Sequence, residues 1–249
     1  MWGEVDEEPK DQQNHKASHH EAIIEVSGVE RLFNVGQKEI GALSGVDLKI
    51  YSTDFLVIFG PSGCGKSTLL NIISGLDKPT KGKVEIRDTN IFGMNEDDRG
   101  IFRSKKMGMI LQLPRWIGSL NVLENIALPL LIEGTEEKIA MEHSFKAMKD
   151  LKIENLAKQQ PNQLSGGEQQ KAALARALVT NPWIILADEP TGNLDSTSSD
   201  EIMAIFDYLN RNLKRTIILV SHNQAYWNIG TRRVEMRDGK VVSQIENRM

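Results

Sequence analysis

The 249-residue chain has a single cysteine, Cys64, so no intramolecular disulfide framework holds it, a composition compatible with a reducing compartment. Long apolar runs are missing as well. The longest stretches, FLVIF at 55–59 and IALPLLI at 126–132, fall far short of the ~18–20 residues that cross a bilayer. The opening MWGEVDEEPK is acidic and has no apolar centre, so no secretion signal is expected. Any membrane role therefore has to come through a partner. Neither sign of charge prevails: Lys+Arg 30 against Asp+Glu 34 leaves −4, which argues against a nucleic-acid binder that relies on bulk positive charge. Aromatics are sparse at 6%, yet hydrophobic residues reach 40%. With ~150 residues per domain as a guide, the length suits one large domain or two small ones. A body of this size buries roughly 70–75% of its unfolded surface and needs no metal or disulfide to hold a core.

Residues 1–21 differ from the rest. They carry six acids, two lysines and three histidines with almost nothing to bury, and read as a disordered tail. His15, His19 and His20 lack a further ligand spaced to close a metal site, so a solvated tail is the plainer reading. From Ala22 to residue 249 short apolar runs alternate with helical patterns. AIIEV (22–26), VDLKI (46–50), KVEIRD (83–88), MGMIL (107–111), WIILA (183–187) and TIILV (216–220) predict strands. FLVIF predicts a strand buried on both faces. Residues 232–246 read as two strands around an Asp238-Gly239 turn. Ile202, Ile205, Phe206, Leu209 and Leu213 form one helical stripe, and Met141, Phe145, Met148 and Leu151 another. The pattern is α/β with a helical insertion at about 113–165.

The strongest local signal is GPSGCGKST at 60–68, which fits G-x-x-x-x-G-K-[ST]. Gly60, Gly63 and Gly65 let the loop curl through Pro61, so that successive backbone N–H groups, those of Ser62, Cys64 and Thr68 among them, can converge on one anion. A helix beginning near Gly65 adds the positive end of its dipole. Lys66 reaches the outer phosphates, and the Ser67 hydroxyl suits Mg²⁺. Cys64 reads as a small tolerated residue rather than a redox switch. WIILADEP ends a buried-type strand on Asp188 and Glu189, beside the phosphate loop in a parallel sheet. Asp188 is placed to hold Mg²⁺ and Glu189 to orient or deprotonate water. His222 and Gln112 each follow a strand; alone, such a histidine is more often structural, and such a glutamine means nothing.

LSGGEQQKAALARAL, from Leu164 onward, resembles the signature of ATP-binding-cassette ATPases, and the motifs above stand in that family's order across 22–249. The resemblance implies an α/β P-loop cassette: a RecA-like core, an antiparallel β subdomain and the inserted helical subdomain. It implies that Phe33 stacks on adenine, that residues 60–68 are the Walker A loop, and that Gln112 contacts Mg²⁺ and the helical region. Ser165, Gly166, Gly167 and Glu168 would then face the nucleotide of a second copy. Asp188 and Glu189 form the Walker B pair, Asn193, Leu194 and Asp195 the D-loop, and His222 the switch. Ser165 caps the helix that starts at Gly166 and makes it a second anion cradle. The departures are Glu168 for the usual Gln, Lys171 for Arg and Phe33 for Tyr, and none of them removes a catalytic group.

TLLNIISGLDKPTKGKV, ENIALPLLI and LADEPTGNLDS resemble the lipoprotein-release, macrolide-export and cell-division subgroup. The resemblance implies an ATPase using ATP and Mg²⁺, paired with a second cassette and an integral membrane permease-type subunit. It would lie at the cytoplasmic face of the inner membrane, peripheral through that partner. Lys66, Glu189 and His222 are the expected catalytic groups. The alternatives are a soluble cassette of the iron–sulfur assembly type and an ATP-gated clamp that only binds. Trp116, beside Arg115, reads either as an anchor for the membrane subunit or as a residue folded into the helical insertion. Trp183, Tyr226 and Trp227 read as packing.

Overall fold

The computed structural model describes residues 22–36 and 38–247; the tail and its three histidines lie outside them. In chain order the elements are β1 (Ala22–Val35), β2 (Lys38–Tyr51), β3 (Phe55–Phe59), α1 (Lys66–Ile73), β4 (Lys81–Ile86), β5 (Thr89–Asn90), α2 (Glu96–Lys106) and β6 (Met107–Ile110). Then come α3 (Val122–Ile132), α4 (Glu137–Asp150), α5 (Gly166–Leu178), β7 (Ile184–Asp188), α6 (Ser196–Arg211), β8 (Thr216–Val220), β9 (Arg232–Arg237) and β10 (Lys240–Glu246). They build two sheets, β2-β1-β4-β5 and β10-β9-β3-β8-β7-β6. The first is antiparallel. In the second, β6, β7, β8, β3 and β9 run parallel and β10 folds back on β9.

Parallel strands covered on both faces carry continuous apolar runs. β3 and β8 are buried at every residue, and β7 at all but Asp188. One apolar cluster lies between this sheet and α5, α6 and the α3–α4 region; the other joins the opposite face to α1 and the antiparallel sheet. The parallel strands all end on one side, and the loops after β3, β6, β7 and β8 carry the chemistry-bearing motifs.

Two expectations are corrected, and one helix is added that local patterns did not announce. β1 extends nine residues beyond Val26, because Gly28 at φ +57° and successive register shifts interrupt the alternation that marks a strand. α2 has no buried residue, so apolar spacing could not announce it. It is held by the Asn95 cap on Asp98 N at 2.8 Å, with acids in its first turn and bases in its last. On α4 the buried face is Ala140, Ser144, Ala147 and Met148, with Leu151 just beyond; Met141 and Phe145 are only half-buried at its flank. Small residues let α4 approach α3 closely, which a search for large apolar side chains overlooks.

Candidate nucleotide site

β3 delivers the chain to Gly60, where φ is +150° and an added Cβ would stand 2.1 Å from Met236 O. Only glycine passes that close to β9. Gly65, at φ +101°, has its own Cβ position 2.4 Å from Ala42 O and starts α1 without a side-chain cap. The first N–H groups of α1 are thereby left for a ligand. The loop walls an open cavity of about 880 Å³. Gly60, Pro61, Ser62, Gly63, Gly65, Lys66, Ser67, Thr68, Gln112, Glu189 and His222 line it. Cys64 is buried behind it, its Sγ 3.9 Å from Lys66 Nζ.

Lys66 is buried, and its Nζ donates to Gly60 O at 2.8 Å and Pro61 O at 2.9 Å. Ser67 Oγ donates to Asp188 Oδ1 at 3.0 Å, joining α1 to the end of β7. Burial pushes the Asp188 carboxyl above its ordinary range; the Ser67 hydroxyl and Lys66 oppose that, while Glu189 adds to it. Among the described residues no three His, Cys, Asp or Glu side chains gather as a metal cluster. The available donors are one hydroxyl, one carboxylate and the Gln112 amide oxygen. A sparse set of hard oxygens fits Mg²⁺ whose remaining positions are taken by phosphate and water.

Glu189 sits one residue past β7 in the left-handed region, φ +49°, a conformation that costs a non-glycine residue about 1–3 kcal/mol and concentrates at functional sites. Its N–H donates to Val220 O at 3.0 Å. Its Oε2 lies 2.8 Å from His222 Nδ1 and accepts from His222 N at 3.4 Å. Glu189 is 15% exposed and His222 68%, so the pair places an enclosed carboxylate behind an open imidazole.

The remaining motif residues lie elsewhere. Ser165 caps α5 in a reciprocal box: its Oγ accepts from Glu168 N at 3.4 Å, and its N donates to Glu168 Oε2 at 2.8 Å. Its hydroxyl also donates to Glu168 Oε2 at 2.7 Å, and this bond holds the Glu168 carboxyl below its ordinary range. Gly166 faces Leu194, and a Cβ on Gly167 would meet Ser198 Oγ at 2.8 Å. Asp195 caps α6 through Ser198 N at 2.9 Å. None of Ser165, Gly166, Gly167 and Glu168 lines the cavity. Phe33 does not line it either; it pairs with Ile40 across the β1–β2 hairpin, and Arg31 covers one face of its ring at 4.4 Å.

Sequence reasoning missed part of the wall. Trp227 stacks on Phe59 at 4.1 Å, and both face the cavity together with Gln224 and Glu235. Its place five residues past His222 was the only hint. Trp116 folds onto α5, where Gln169 and Arg176 hold it, and Lys171 pairs with Glu201 of α6 at 2.6 Å.

Residues 43–192 match the family model described as ABC transporter. An uncharacterized ABC transporter ATP-binding protein of Methanocaldococcus jannaschii is 41% identical over 223 residues, 90% of this chain and 99% of the relative. The lipoprotein-releasing system ATP-binding protein LolD of Wigglesworthia glossinidia brevipalpis is 36% identical, over 88% of this chain and 96% of its own. The cassette MJ0796 of Methanocaldococcus jannaschii, solved as a dimer in a post-hydrolysis state bound to ADP and Pi, superposes with TM-score 0.85 at 37% identity, over 91% of this chain and 99% of its own.

Proposed function

The chain belongs to the ABC transporter family of ATP-binding cassettes, and on that premise we propose that it hydrolyses ATP to ADP and phosphate as one of two cassettes that drive a membrane subunit. The observation that supports the reading is that one chain carries two helix N-termini suited to an anion, those of α1 and α5, of which one alone lines the cavity. The Gly65–α1 cradle lines the cavity; the Ser165–α5 cradle does not. A second copy that brings its Ser165 tip to the first copy's cavity would use both. The solved dimer of a 37%-identical cassette with ADP and Pi supports that pairing.

The loop amides and Lys66 would take the phosphate charge, Lys66 exchanging its carbonyl partners for phosphate oxygens. Ser67, Asp188 and Gln112 would hold Mg²⁺, which when bound neutralises charge on the phosphate oxygens. Glu189 would orient or deprotonate the attacking water, and His222, hydrogen-bonded to it, would meet the γ-phosphate. Phe33 would stack on adenine through the ring face that Arg31 leaves free.

The membrane partner is supported by a second cavity of about 900 Å³ lined by α2, the end of α3 and β6. Its apolar rim includes Leu76, Ile101 and Ile132, exposed at 53%, 53% and 79%, a patch suited to a partner helix. Among the described residues no helix is long and apolar enough to cross a membrane. Attachment at the cytoplasmic face of the inner membrane would thus run through the partner. The likeness to lipoprotein-releasing ATP-binding proteins supports the export or mechanotransmission type.

The test is Glu189→Gln. Each tenfold fall in rate is ~1.4 kcal/mol of barrier, and loss of a water-orienting carboxylate should lower kcat by about a hundredfold or more. ATP binding and ATP-dependent pairing should persist. Near-normal phosphate release by this variant would remove Glu189 from its role.

A further inference from the structure

The loop that carries Gln112 is fastened to the helix that begins at the Ser165 tip. Trp116 Nε1 donates to Gln169 Oε1 at 3.2 Å. The Arg176 guanidinium lies over the Trp116 ring, 4.4 Å from its centroid, and Arg176 Nη1 donates to Arg115 O at 2.6 Å. Burial pushes the Arg176 guanidinium pKa down, so the ring face and the carbonyl are what stabilise its charge there. Gln169 is tied in turn to the start of α5: its Nε2 donates to Leu164 O at 3.2 Å. On the other flank of Gln112, Gln170 Nε2 donates to Leu111 O at 3.3 Å. Between these fastenings Leu113 stands 70% exposed.

We propose that Trp116 is a positioning residue that makes Gln112 and the Ser165–Glu168 tip move as one body. What Gln112 meets in one chain's cavity then sets how the same chain presents its tip to the second copy. The inference rests on the two-copy reading above. Trp116 itself lines no part of the nucleotide cavity, so its effect belongs to pairing rather than to ATP capture. A loop anchored only at its ends would move independently of α5. To the bonds that Gln170 and Arg176 already make to the loop backbone the indole adds two separable contacts, the N–H on Gln169 and the ring beneath Arg176, and the two can be removed in steps.

The experiment uses the full chain carrying Glu189→Gln, alone and combined with Trp116→Phe or Trp116→Ala. Trp116→Phe keeps a ring beneath Arg176 and loses the N–H; Trp116→Ala loses both. Binding of a fluorescent ATP analogue to the monomer, ATP-driven pairing by light scattering, and helical content are measured. The ATP concentration for half-maximal pairing should rise about fivefold or more in Trp116→Ala, and by a smaller factor in Trp116→Phe. Monomer affinity for the analogue should match that of the parent. In the Glu189 background kcat should fall in the same order, with the smaller loss in Trp116→Phe. Pairing midpoints within about twofold of the parent in both variants would overturn the proposal, as would an equal loss of monomer ATP binding. If Trp116→Ala loses helical content, Trp116→Phe decides by the same thresholds. A parent that does not pair at all sinks the two-copy reading and this inference with it, and is told apart by the parent measurement alone.

Discussion

Phe33 sits on β1 with one ring face against Arg31, and Arg31 is fixed by Asp77 at 2.7 Å. On the proposed reading the opposite face takes the adenine. Stacking of a base on an aromatic ring is worth ~1–3 kcal/mol by alanine substitution. Phe33→Ala should therefore raise the KM for ATP by about tenfold with little change in kcat, while Phe33→Tyr should be near neutral. An unchanged KM in Phe33→Ala would leave adenine to the Trp227 side of the cavity. Single residues differed in how well the sequence exposed them. Ser67 and Asp188 are 121 positions apart and meet at 3.0 Å, yet both were legible, because Ser67 stands in the phosphate-loop motif after one buried strand and Asp188 ends another. Trp116 was not. A tryptophan in a loop has no periodicity to read, and its partner Gln169 lies 53 residues on.

Among the elements, α5 depends most on a small local feature. Removing a helix cap costs ~0.5–2 kcal/mol, so Ser165→Ala should lower the stability of the chain by about 1 kcal/mol in urea unfolding. Loss of no stability would mean that the reciprocal box does not form. The Glu168 carboxyl, held low by the Ser165 hydroxyl, adds a pH dependence of known sign. Its folded value lies below its unfolded one, so its contribution is complete above the ordinary glutamate range and is withdrawn as pH falls through the depressed value. Thermal melts of the parent and Glu168→Gln should therefore converge on acidification, and a constant difference at all pH values would refute this. The cap and the start of α5 were readable, since serine followed three residues later by glutamate announces them. α2 was not, because a helix without a buried face leaves no stripe in the sequence.

For the whole molecule, the proposed two-copy arrangement has a consequence for assembly. Ser165 lies outside its own chain's cavity, so on that reading the mass should depend on ATP. Glu189→Gln should run as a monomer without nucleotide and shift to a dimer with ATP and Mg²⁺, and chelation of the cation should reverse the shift. A mass indifferent to ATP would contradict the arrangement. The order of the strands was not readable from local patterns. Gly60 passes under Met236 because β9 lies beside β3, a neighbour 176 positions away, as the Leu56–Arg232 pairing shows.

The bonds of Lys66 bear on kinetics under the proposed function. The ammonium ties the loop together through Gly60 O and Pro61 O, so a triphosphate would meet a braced bowl and exchange acceptors there instead of freezing a slack ribbon. Little ordering entropy is then lost on capture. Association should be nearly as quick as diffusion and steering allow, and differences in affinity among nucleotides should show up as differences in how long each one stays.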